Sequence, residues 1–278
     1  MGARTAYETL EKRFARVAGL RAIRGQLDWD SAVMLPPAAG AARARQMGLV
    51  EEMLGETLRA PDMAELMDVA RQADLDPWQT ANLREMRAEI GLARATPPDL
   101  SARAASAHAS CELVWRTAKT QSDFALVQRA LDEVFAIARD IAAAAGAALG
   151  LDPYDATMAR WEPGARSRSL AASFDELAQD LGPLAQDIAA RRTGAQAACA
   201  SARFSVDEQA AAAKPIAALL GYDGRLDPCA HAFFSDDNPD DVRIGLALRE
   251  GAVLPVLSGL IHEIGHAHYE RNVPQAWR

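Results

Sequence analysis

Residues 258–271 read Ser258-Gly259-Leu260-Ile261-His262-Glu263-Ile264-Gly265-His266-Ala267-His268-Tyr269-Glu270-Arg271. Pro255, a favoured first-turn residue, precedes them, and no breaker interrupts the run, so a helix is expected from near Pro255 through Arg271. On that helix His262 and His266 stand four apart on one face, close enough for both imidazoles to reach one ion. Glu263 lies about 100° round the helix, beside the ion, where a carboxylate can take a proton from water. Gly259 and Gly265 lie near the ligand face and leave room for a substrate backbone. Leu257, Ile261 and Ile264 are expected on the far face as the anchor into the core. His268 falls with that apolar set and reads as a packed histidine rather than a ligand, and His108, in an alanine- and serine-rich stretch, reads as structural. The competing reading, two merely solvated histidines, has pattern, helix and glycines against it. A catalytic zinc site needs a third protein ligand and an open position. Glu270 is badly placed for that role, and nothing in the spacing of His231 demands it.

Upstream of this helix, residues 226–250 (LDPCAHAFFSDDNPDDVRIGLALRE) are rich in Asp and Pro with short extended runs. Ala230–Phe234 and Val242–Leu248 are expected as two strands of a hairpin, joined by the acidic turn Ser235–Asp241. Everything before Gly221 reads as helix. Alanine makes up about a fifth of the chain and aromatics only 6%, and alanine has the best helix propensity. Tyr7, Leu10, Phe14, Val17 and Leu20 follow spacings of three and four, as do Leu49/Val50, Met53/Leu54 and Leu58 beyond Pro36-Pro37. Further helices are expected over roughly 62–71, 77–95, 100–117, 124–150 and 168–192. Breakers at Asp76-Pro77, Pro97-Pro98, Asp152-Pro153 and Glu162-Pro163-Gly164 fall at the ends, with Asp99 or Ser101 as a candidate cap. The alanine-rich patches 141–149, 195–200 and 210–218 read as tight helix packing. The fold class is therefore all-α (mainly α), with a small hairpin beside the H-E-x-x-H helix. One continuous domain is expected, a helical body over 1–220 and the hairpin plus final helix over 221–278.

The 278 residues carry a net charge of -8 with a sequence pI of about 5.2, which argues against a nucleic-acid partner. The apolar runs 141–151 and 251–261 are too short to span a bilayer, and the N-terminus has no apolar signal core, so no membrane partner is expected. Cys111, Cys199 and Cys229 are odd in number and far apart. They form no disulfide framework, and a cytoplasmic protein is the default.

Several of these stretches together resemble the M32 metallocarboxypeptidases, the carboxypeptidase Taq family. Trp29-Asp30, Met34-Leu35-Pro36-Pro37 and Arg45-Gln46 resemble the family's Trp-Asp, Met-Pro-Pro and Arg-x-x-Gln region. Trp161-Glu162-Pro163-Gly164 is similar to its Glu-Pro-Gly turn, and Leu220 to Asp227 to the lead-in of its substrate hairpin. His231-Ala232-Phe233 stands for the family's His-Pro-Phe, and Asp241-Val242-Arg243-Ile244-Gly245 for its Asp-x-Arg-x-Thr. H-E-x-x-H follows intact at His262–His266. The altered Ala232 and Gly245 imply a less rigid hairpin without a hydroxyl contact. The resemblance implies a mostly helical, zincin-like peptidase, often a homodimer, acting on peptides with a free C-terminus. Zn²⁺ would be held by His262 and His266, with Co²⁺ also suited to imidazole; Glu263 would be the general base, and His231 and Arg243 would line the groove. An Arg243 ion pair with Asp241 or another neighbour is an equal alternative. The family's third ligand comes from the glutamate of a His-Glu-Ser/Gly-Gln motif beyond the segment corresponding to this sequence. The chain is thus expected to match the N-terminal part of such an enzyme, as a fragment or a short relative.

Three functions follow. The first is a zinc carboxypeptidase releasing C-terminal amino acids. The second is an inactive helical relic serving as a binding or oligomerisation module, which the incomplete ligand set favours for the 278 residues alone. The third is an endopeptidase of the wider H-E-x-x-H class.

Overall fold

The computed structural model describes residues 1–191, 203–229, 231–235, 238–251 and 253–274. Ten helices precede, interrupt or follow a three-stranded sheet among these residues. They are α1 (Ala3–Val33), α2 (Gly40–Leu58), α3 (Met63–Ala70), α4 (Pro77–Ala95), α5 (Pro98–Gln121), α6 (Ala125–Leu149), α7 (Pro153–Met158), α8 (Ser167–Arg191), α9 (Val206–Leu219) and α10 (Val253–Arg271). The strands are β1 (Leu226–Pro228), β2 (Phe233–Phe234) and β3 (Ile244–Leu246). The mainly helical class is as the composition implied. Among the described residues no helix is long and apolar enough to cross a membrane.

The prolines do what their chemistry allows. Pro36-Pro37 separates α1 from α2 through a short 3-10 turn, Pro37–Ala39. Asp76 caps α4 as a full capping box: Asp76 Oδ1 accepts from the Gln79 amide at 2.9 Å, while Gln79 Oε1 accepts from the Asp76 amide. Asp152 caps α7 by accepting from the Tyr154 amide at 2.9 Å. Neither Asp99 nor Ser101 caps α5. Its N-cap is Pro97, which has no side-chain acceptor, and Ser101 Oγ donates back to the Pro97 carbonyl. The alanine patch 195–200 lies outside the described residues.

The hairpin is shorter than expected and has a companion. β2 pairs antiparallel with β3 (Phe233 opposite Gly245, Phe234 opposite Ile244), and β1 lies parallel on the other edge of β3, giving the order β1-β3-β2. The pairing stops early because the turn carries Pro239 and four Asp among residues 235–241, which favour turn over ladder. β1 escaped the sequence reading because Leu226-Asp227-Pro228 is three residues long and ends in proline.

The chain sorts into two compact units, Met1–Val17 with Glu51–Arg191, and Ala18–Val50 with Arg192–Arg278. This grouping crosses the change in composition at residue 220, since α9 and the second half of α1 side with the sheet. In the first unit α5 packs on α6 around Cys111, Ala118 and Val127, and α6 on α7 around Ala145 and Ala156. Small residues let these helices approach closely: a Cβ on Gly146 would come within 2.9 Å of the Leu151 carbonyl. The second unit centres on Ala213 and Ala217 of α9, Tyr222, Val242, Ile244 and Leu246 around the sheet, and Leu260, Ile264 and Ala267 of α10.

Candidate metal centre

α10 presents its core face through Leu260, Glu263, Ile264 and Ala267. This corrects the expected anchor of Leu257, Ile261 and Ile264. Ile264 is buried, but Ile261 is about half exposed, because the inward direction is shifted round the helix toward Glu263. His262 and His266 point the other way and are exposed. Their Nε2 atoms approach to 3.0 Å and their rings meet edge to face, centroids 4.6 Å apart. Two zinc-bound imidazoles, each about 2.0–2.1 Å from the ion at a tetrahedral angle, have donor atoms about 3.3 Å apart, so the pair fits two corners of such a site. Among the described residues no group of three His, Cys, Asp or Glu side chains comes together.

Glu263 is 7% exposed, and among the described residues its carboxylate accepts no hydrogen bond. The other core-facing residues of α10 are apolar, so a carboxylate at this position points to a reason other than packing.

The sheet orients this pair. The Phe234 ring stacks on the His266 imidazole with centroids 4.5 Å apart and planes 5° from parallel. Next to it, Phe233 packs on buried Trp29 of α1 with centroids 5.0 Å apart. The end of α1 is itself clamped to α2 by one guanidinium. Arg43 donates to Asp30 Oδ2 and the Leu27 carbonyl at 2.6 Å each, to Gln46 Oε1 at 3.0 Å and to Ser31 Oγ at 3.1 Å. Arg43, not Arg45, is therefore the arginine that acts with Gln46. The two sit three apart, and that i,i+3 spacing was the available signal.

Gly245 changes the reading of the hairpin. A Cβ there would fall 2.7 Å from both Cys229 Sγ and the Phe233 ring, so the space of a larger residue is filled from across the sheet rather than left loose. Cys229 Sγ donates to the His231 carbonyl at 2.8 Å. Burial pushes its thiol up from the usual range, and the charges of Asp227 and Glu263 add to that. No pattern in the sequence announced this fit, because it joins β3 to a residue just beyond the end of β1. Ala232, at the family's proline position, has its Cβ 3.9 Å from where one on Gly259 would lie, an ordinary contact.

Of the two candidate groove residues, Arg243 makes the anticipated ion pair. Its Nε and Nη2 bind Asp241 Oδ1 and Oδ2 at 2.8 and 2.5 Å. That pairing holds the Asp241 carboxyl below its ordinary range and raises the guanidinium. His231 is exposed. His268 is the packed histidine expected: its Nε2 lies 2.8 Å from the Leu220 carbonyl. Tyr222 locks the lead-in loop. Its hydroxyl sits 2.9 Å from the Val242 carbonyl and 3.0 Å from that of Arg225, and burial pushes its pKa up to about 12. Arg271 covers the ring at 5.0 Å and pairs with Asp223 at 2.7 Å.

The profile of the carboxypeptidase Taq (M32) metallopeptidases matches residues 9–278. The chain belongs to the M32 family. It is 31% identical over 284 residues to thermostable carboxypeptidase 1 of Thermus thermophilus, covering 97% of this chain and 56% of that protein. Carboxypeptidase 1 of Bacillus subtilis is 27% identical, with 96% and 55% covered. Among solved structures, Trypanosoma cruzi metallocarboxypeptidase 1 superposes with a TM-score of 0.82 at 29% identity, over 98% of this chain and 56% of that one. This M32 chain thus spans a little over half the length of these relatives.

Proposed function

We propose that this M32 chain is the metal-binding part of a carboxypeptidase that releases single amino acids from peptides with a free C-terminus. The observation that carries the reading is the pair of imidazoles whose Nε2 atoms converge to 3.0 Å, with the Glu263 carboxylate next to them on the otherwise apolar core face of α10. His262 and His266 hold a divalent ion, zinc first and cobalt as an alternative, with a third donor from polypeptide equivalent to the part of the relatives that this sequence does not match. When bound, the ion supplies a Lewis acid that polarises the scissile carbonyl and acidifies water. Glu263 takes the proton from the attacking water and passes it to the leaving amine. Phe234 holds the His266 ring in plane. Arg243 is fixed by Asp241 through Nε and Nη2, and with His231 it offers donors to a terminal carboxylate or an oxyanion. The protein works in the cytoplasm as a homodimer, with neither nucleic acid nor membrane as partner.

The test is release of free amino acid from an N-blocked peptide by the metal-loaded protein, against the same peptide amidated at its C-terminus. Release from the free C-terminus alone, lost with a chelator and with Glu263→Gln, is expected. Equal cleavage of the amidated peptide would make the protein an endopeptidase. No release with stoichiometric metal bound would leave the second reading, a binding or oligomerisation module.

A further inference from the structure

β2 is only two residues long, and a pairing that short does not fix its own position. Adjacent residues of a strand point to opposite faces of the sheet, and Phe233 and Phe234 use both faces. Phe234 lies on the face that α10 covers, where Ala232 approaches Gly259 and the Phe234 ring stacks on His266. Phe233 lies on the opposite face, over Gly245 and against Trp29 of α1. The strand is therefore gripped between two helices, by α10 through an imidazole and by α1 through an indole.

The indole is the fixed end of this grip. Trp29 is 1% exposed, and its Nε1 has no hydrogen-bond acceptor among the described residues. Its place is set by packing and by the backbone that carries it. Arg43 holds that backbone on both sides, binding the Leu27 carbonyl before Trp29 and the Asp30 and Ser31 side chains just after it. The imidazole is the free end. His266 is exposed, and its ring is met by the Phe234 face and by the edge contact with His262. Without the bulk of Trp29, Phe233 loses its backing, and β2 can sink toward α1 and draw Phe234 off the imidazole.

We propose that Trp29 is a positioning residue for the metal centre: by backing Phe233 it sets β2 at the depth that stacks Phe234 on His266. Trp29 acts through the two phenylalanines alone. The consequence for the ion rests on the reading of His262 and His266 as ligands, whereas the hold on the His266 ring does not.

NMR of the histidine-labelled, metal-free 278-residue chain, at about pH 8 where imidazoles are neutral, tests the hold directly. The His266 ring protons, assigned by their loss in His266→Asn, lie over the Phe234 face and should appear upfield of those of exposed His108. Trp29→Ala should move them toward the His108 position, and Trp29→Phe, which keeps a ring against Phe233, should retain most of the displacement. Leu20→Ala, a buried cut about two and a half turns up the same helix, should leave it unchanged. Phe233→Ala severs the same contact at a half-buried side chain and should abolish the displacement even where Trp29→Ala does not fold. Zinc affinity, read by competition with a chelating dye, should fall about 3- to 10-fold in Trp29→Ala. It should fall no further in Trp29→Ala with Phe234→Ala than in Phe234→Ala alone. An unshifted wild-type signal would overturn the proposal, as would one indifferent to Trp29→Ala and Phe233→Ala, or one that Leu20→Ala moves as far. So would zinc losses that add in the double variant. A chain that binds zinc with a signal indifferent to Trp29 keeps the peptidase reading and sinks the positioning role. A signal that follows Trp29 in a chain that binds no zinc does the reverse.

Discussion

α8 and α10 carry similar apolar repeats and meet opposite fates. α8 has the cleaner stripe and buries none of it. α10 has a ragged one, interrupted by Glu263, and buries it against β3 and α9. Amphipathicity thus reports that a face wants a partner, while the partner's identity is decided elsewhere in the chain. The irregularity in α10 is the more informative feature, because a carboxylate stands on a face whose other residues are apolar. The proposed function shows here as a flaw in a stripe.

The sharpest break between the two helices is chemical. Glu263→Gln keeps the shape and the burial and removes the base. The proposed peptide release should fall about 10²- to 10⁴-fold, measured as free amino acid from an N-blocked peptide. The thermal midpoint should hold, because shape and burial are kept. No substitution on the exposed stripe of α8 should touch the rate per metal bound.

Packing separates them next. Leu260→Ala or Ile264→Ala empties a side chain about 2% exposed and should cost roughly 2–5 kcal/mol in denaturant unfolding. Leu181→Ala, on a residue more than half exposed, should stay within about 0.5 kcal/mol. Equal losses would mean that α8 is covered in solution.

A smaller effect concerns what holds the imidazoles. Phe234→Ala removes the ring stacked on His266 and should weaken zinc binding about 10-fold, the lower end of what outer-shell partners contribute. Unchanged affinity, read by competition with a chelating dye, would mean that the helix alone positions the histidines. On the same sheet Gly245→Thr should cost about 1–3 kcal/mol by overpacking. Cys229→Ala should return part of it, since the thiol is one of the two groups in the way.

How much of this could be read from residues alone follows the range of the interactions. The helices were legible because propensity and the i,i+3/i,i+4 pattern are local, and Pro77–Ala95 begins and ends where Asp76-Pro77 and Thr96-Pro97 say it should. The histidine pair was legible for the same reason. The direction of α10's core face was not, since it depends on β3 and α9 packing against one side. The Arg43 clamp, the Phe234–His266 stack and the Cys229–Gly245 fit bring together residues from different elements, and no sequence period encodes them. β1 was missed because a parallel partner 18 residues away gives no turn signal.

The smallest contrast is electrostatic. Asp241 and Arg243 form a bidentate, partly shielded pair in the sheet, whereas Asp187 and Arg191 form an i,i+4 pair on the exposed surface of α8. Asp241 titrates below its ordinary value because the guanidinium favours its charged form. A depressed carboxyl contributes stability above its unfolded pKa of about 3.9 and loses it as pH falls through the lower folded value. The pair should therefore help at neutral pH and fade in acid, by less than about 1 kcal/mol, since Asp241 is itself 42% exposed. Asp241→Asn should flatten that acid limb, followed by urea unfolding between neutral and acid pH. Asp187→Asn should leave it where it was, because a pair free to exchange with water gains little from being formed. If instead Asp187→Asn moves the acid limb as far as Asp241→Asn does, the α8 flank is shielded from water.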